Sequence, residues 1–162
     1  MQPPPLVFAG AIAFLAGALL SLLAHAADPH GLSGAGAPGR LQLDHGKKWP
    51  TDEALRRGMS AINELVHRAP AALHKGTAKT EAYAGLGARI EREVGRIVAK
   101  CRLAPDADAQ LHLVITDMIA GANAMKGEKL SAEGRGGLAR IAGALRTYDS
   151  YFDHPGWITA VR

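Results

Sequence analysis

The sequence predicts an all-α protein: an up-down-up-down antiparallel four-helix bundle preceded by a signal peptide and a flexible leader. Three observations carry this expectation. Apolar residues recur at alternating intervals of three and four along four long segments, the spacing of a helix with one buried stripe. Strand signatures are missing, since the chain has 5% aromatic residues and no alternating β-branched runs. Short connections marked by Pro and Gly separate the segments, which favours antiparallel neighbours.

The chain opens with Leu6 to Ala24, an uncharged run of Leu, Ala, Phe, Val and Gly that ends in Ala24-His25-Ala26. This reads as the apolar region and cleavage site of a signal peptide spanning residues 1–26. No Lys or Arg precedes the run, so an uncleaved anchor is the competing reading, and membrane association is expected only in that case. The single cysteine, Cys101, lies far from the cleavage region, which excludes a lipoprotein anchor and a disulfide within the chain. The rest of the protein is therefore expected to be periplasmic or secreted. Residues 27–46 read as the flexible leader, because the stretch ADPHGLSGAGAPG has almost nothing to bury, and residues 47–162 as the bundle domain.

Each helix has its own start and stop signals. The first is expected over 51–69, capped by Thr51, with Asp52 and Glu53 in its first turn and Leu55, Met59, Ile62 and Val66 on its stripe. Pro70 ends it, and the stretch to Gly76 is a loop with room for one extra turn. The second, over 80–101, carries Tyr83, Leu86, Ile90, Val94, Ile97 and Cys101, which places the cysteine in the core. Pro105 suits the first turn of the third helix, over 105–126, striped by Leu111, Ile115, Met118, Ala122 and Met125. Ser131 is the expected cap of the fourth, over 131–152, which carries Leu138, Ile141, Leu145, Tyr148 and Phe152.

The formal charge is +4, with Arg and Lys scattered among acids along the chain. Such a pattern reads as a solvated surface, so no nucleic-acid partner is expected, while a protein partner stays open.

Three strings stand out: LQLDHGKKWPTDEALRRGM at 41–59, CRLAPDADAQLH at 101–112 and YFDHPGW at 151–157. Together they resemble a family of small exported proteobacterial proteins labelled DnrO-like. The resemblance implies export and brings no activity to transfer. Nothing in the chain reads as a helix-turn-helix, so no DNA-binding role follows from the label.

In the predicted topology all three strings meet at one pole, where helices one and three start and helices two and four end. The pole collects His112, Cys101, His154 and His45, with Asp108 four residues before His112. Imidazole and thiolate suit copper or zinc, and Asp108 would orient His112 from outside the ligand set. Against this, no CxxC, HxxxH or HExxH pair is present, so every ligand comes from a separate element. The competing reading is structural. His112 bonds Asp108 or a loop carbonyl, Cys101 packs as a small apolar residue, and Trp49 and Trp157 lid the open end. Covalent haem is excluded by the lack of CxxCH, and Met59, the thioether for a b-type haem, falls on the core stripe. Cys101, His112 and Asp108 name a nucleophile, base and orienter in outline. A thiol on a core stripe is neutral and inert, however, so the chain is not expected to be an enzyme. The alternative to a metal protein is a periplasmic adaptor or chaperone-like interaction module.

Overall fold

The computed structural model describes residues 40–127 and 131–159; the expected signal peptide and the leader as far as residue 39 lie outside the described residues. The described chain is all-helical: α1 (Glu53–His67), α2 (Ala71–Lys75), α3 (Thr80–Lys100), α4 (Pro105–Lys126) and α5 (Ser131–Tyr151). Among the described residues the β-type pairings are isolated bridges, Asp44 with Lys47 and Trp49 with Phe152. No helix among them is long and apolar enough to cross a membrane.

The cap of α1 is Asp52 rather than Thr51. Its Oδ1 accepts the Leu55 amide at 2.6 Å, because a carboxylate beside the first turn meets both an orphan amide and the positive end of the helix dipole. The Thr51 hydroxyl is turned instead to the Asp153 carbonyl, to which it donates at 2.5 Å. After Pro70 the chain makes the one extra turn, α2, which stops at Gly76 with φ +77, a left-handed position suited to glycine. The Tyr83 hydroxyl donates to the Leu73 carbonyl at 2.7 Å and pins α2 to α3. Pro105 occupies the first turn of α4, where its missing amide hydrogen costs nothing. The side chain of Ser131 lies outside the described residues, and with it the expected cap of α5.

The four apolar stripes read from the sequence converge on one core, with the exception of Cys101. Each large aliphatic side chain buried there contributes about 1.5–3 kcal/mol. Cys101 leaves the stripe because α3 ends at Lys100 and the next residue takes an extended backbone, with ψ 141. Its side chain is half-buried at the rim, which corrects the expected core position.

α1 packs on α3, α3 on α4 and α4 on α5, each pair running in opposite directions. Gly58 meets Ile97 while Leu65 and Leu86 share a groove farther along. Gly87 faces Ala122 and Met125, and Ile97 sits beside Leu111 and Ile115. The α4–α5 approach is the closest kind, backbone against backbone: a Cβ on Gly137 would stand 2.5 Å from the Gly121 carbonyl oxygen. α1 and α5 touch sparsely, and the segment after α5 bridges them.

Candidate functional site

The segment before α1 laces α4 and α5 together. Leu41 rests against the core, and the Gln42 amide donates to Gln110 Oε1 at 2.8 Å. Leu41 and Gln42, placed in the leader by composition, are thus docked on the domain. Asp44 and Lys47 exchange two backbone hydrogen bonds of 2.8 Å around His45 and Gly46, whose φ angles of 47° and 82° make a tight primed turn. The Trp49 amide donates to the Tyr151 carbonyl at 2.7 Å, and the Asp153 amide donates to the Trp49 carbonyl at 2.8 Å. Its indole N–H donates to the Gln42 carbonyl at 2.6 Å, which half-buries the ring over the end of α5.

Beyond α5 the chain runs back along α1 from its start, with Asp153 at Thr51, His154 at Ser60 and Ile158 at Asn63. Tyr148 is fully buried, stacked on Phe152 with centroids 5.3 Å apart and edge-on to Trp157 at 5.0 Å. The Tyr148 hydroxyl shares a hydrogen bond of 3.0 Å with His154 Nδ1, and His154 Nε2 lies 3.4 Å from Ser60 Oγ. Burial, reinforced by the Arg56 guanidinium, pushes His154 below its ordinary 6.5 and keeps the ring neutral. The Asn63 amide donates to the Ile158 carbonyl at 2.8 Å, so the tail is tied to α1 one turn farther on.

Cys101 belongs to a second cluster. Asp52 accepts the Leu55 amide on one oxygen and the Arg102 amide on the other, both at 2.6 Å, and also holds the Cys101 thiol. Burial opposes ionisation of Asp52, but these hydrogen bonds and Arg56 outweigh it and lower its pKa. Burial, then the charges of Asp52 and Asp108, push the Cys101 thiol up to about 11. It is a neutral thiol at physiological pH, a poor nucleophile. His112 is exposed, with Nδ1 2.9 Å from the Asp108 carbonyl and 3.4 Å from its carboxylate. Cys101, Asp108 and His112 line one hollow of about 310 Å³ between α3 and α4, floored by Ile97, Leu111 and Ile115 and edged by Val98, which is 61% exposed.

The four metal-ligand candidates therefore divide. Cys101 and His112 share the hollow with Asp108. His154 is engaged by Tyr148 and Ser60 in the aromatic cluster, and His45 is 98% exposed on its turn, with Asp44 3.9 Å away. Among the described residues no three His, Cys, Asp or Glu side chains come together as ligands of one ion. Met59, weighed for haem, is fully buried in the core.

One feature escaped the linear reading. Arg89, Arg92, Arg96 and Lys100, scattered among acids along the chain, fall on one exposed side of α3, because intervals of three and four return to the same face of a helix. Applying to cations the periodicity used for apolar residues reveals the row. In comparisons with known proteins, the chain matches no family model, no curated protein and no solved structure.

Proposed function

We propose that the chain is an exported, non-enzymatic interaction module built as an up-down-up-down four-helix bundle, whose α3–α4 hollow receives an apolar side chain from a partner protein. The observation that carries this is the hollow itself, with its apolar floor, the exposed Val98 at its edge, and Asp108 and His112 as polar groups beside it. An apolar anchor seated in a pocket with polar groups at the rim is the usual anatomy of an interface hot spot. Export rests on the apolar run ending in Ala24-His25-Ala26 and on the DnrO-like resemblance of the three strings. The opposed pairing of successive long helices supports the bundle topology. A photo-crosslinking residue in place of Val98, in cells producing the protein, tests the reading. A discrete adduct from that position and none from Ser150 is the expected result; no adduct at position 98 removes the proposal.

A second reading is favoured by the shared hollow: His112 and Cys101 take copper or zinc, with Asp108 orienting the imidazole. Metal must displace the thiol proton, so affinity would rise with pH. Elemental analysis of the protein purified from its own compartment, repeated for His112→Ala, decides it. Stoichiometric metal lost in the variant supports the site, and metal-free protein or metal retained by the variant removes it.

A further inference from the structure

Independently of the hollow, we infer that the exposed face of α3 is a docking surface for an anionic phospholipid membrane. Arg89, Arg92, Arg96 and Lys100 form a row along about 16 Å of helix. Arg57 of α1 stands beside Arg96 and Lys100, and Arg68 of α1 beside Arg89, so the row widens into a band over two helices. Acids neutralise part of it: Glu53 pairs with Arg57, Glu64 with Arg68 and Glu93 with Arg96. The side chains of Arg89, Arg92 and Lys100 have neither an ion pair nor a hydrogen bond among the described residues. The band keeps a net positive charge with guanidinium groups free to bind phosphate oxygens in pairs.

The shape of the face selects the kind of polyanion. Gly85 and Gly95, on α3 with the arginines, leave open space between them, so the charges stand along the rims of two open grooves, Arg68 and Arg89 on one and Arg57, Arg96 and Lys100 on the other. The row holds no aromatic ring to stack on a base, and the band, spread over two helices, is wider than the single helix that the major groove of a duplex admits. A lipid surface presents its phosphates as a continuous sheet and can meet all the free cations together. With no large apolar side chain in the row, binding is electrostatic adsorption rather than insertion, and it weakens as salt shortens the range of the charges.

Sedimentation of the full chain with phosphatidylcholine vesicles, with or without about one-third phosphatidylglycerol, tests the inference, because Lys and Arg near an anionic leaflet act additively. The phosphatidylglycerol vesicles are expected to bind the protein at least about tenfold better, with the advantage lost on moving from about 0.05 to about 0.2 M salt. Replacing three arginines together, Arg89→Gln, Arg92→Gln and Arg96→Gln, should weaken this binding by about 100-fold at low salt while leaving helix content unchanged. Removing the same charge from α5, with Arg135→Gln, Arg140→Gln and Arg146→Gln, should leave most of the binding in place and separates the face from net charge. Equal binding to both vesicle types, equal loss in the two triple variants, or duplex DNA bound more tightly than the vesicles would overturn the inference.

Discussion

Asp52 and Arg102 tie the start of α1 to the end of α3: the Arg102 amide donates to Asp52 Oδ2 at 2.6 Å while Oδ1 caps α1. One carboxylate thus serves two helix ends and holds the Cys101 thiol as well. Asp52→Ala is expected to cost about 1–2 kcal/mol for the lost cap, with a further loss from the released Arg102 amide. Asp52→Asn, which retains a capping oxygen, should cost less. Denaturant unfolding of both variants measures the difference, and an Asp52→Ala protein as stable as the parent would remove the double cap as a structural element.

The same carboxylate gives an acid limit. Its folded pKa lies below the ordinary 3.8, so its contribution is complete above that value and is lost as pH falls through the lower folded value. His154 acts in a higher range with the same sign. Its folded pKa is below 6.5, so the unfolded chain takes up the proton first, and the stability it confers is full above 6.5 and declines as pH falls through the folded value. Thermal unfolding between about pH 7.5 and pH 5 should show this decline, and His154→Gln should flatten it. An unchanged slope in the variant would assign the pH dependence elsewhere.

The glycines divide into two classes by what surrounds them. Gly137→Ala forces a methyl group within 2.5 Å of the Gly121 carbonyl, in backbone that cannot give way locally. The expected net effect is a destabilisation of about 1–3 kcal/mol despite the better helix propensity of alanine. Gly95→Ala meets nothing within 4 Å and should stabilise by about 0.5–1 kcal/mol. Opposite signs in chemical denaturation are the check.

Cys101 should react slowly with thiol reagents although it is only half-buried. With the thiol pushed up from 9.0 to about 11, the thiolate fraction at neutral pH is small, and the labelling rate should still be rising steeply at pH 9 and above. An ordinary cysteine approaches its plateau there. Asp52→Asn removes one of the charges that oppose ionisation and should speed the reaction. A plateau near 9 in the parent protein would show that the carboxylates do not control the thiol.

The helical segments and their buried faces were legible in the sequence because periodicity is a local property. Leu55, Met59, Ile62 and Val66 lie on one side of any helix they form, and that side must be covered. Pro70 and Pro105 mark their boundaries through bond geometry that needs no partner. Tertiary structure decided what happens at the ends. Cys101 lost its expected core place through one extended residue, and Thr51 yielded the cap to Asp52 once the Asp153 carbonyl came within reach. His154 turned from a candidate ligand into the partner of Tyr148 because the chain folds back at Pro155 and Gly156. Such outcomes turn on backbone angles at a few residues and on segments far apart in the chain meeting in space, which no local pattern of residue types encodes.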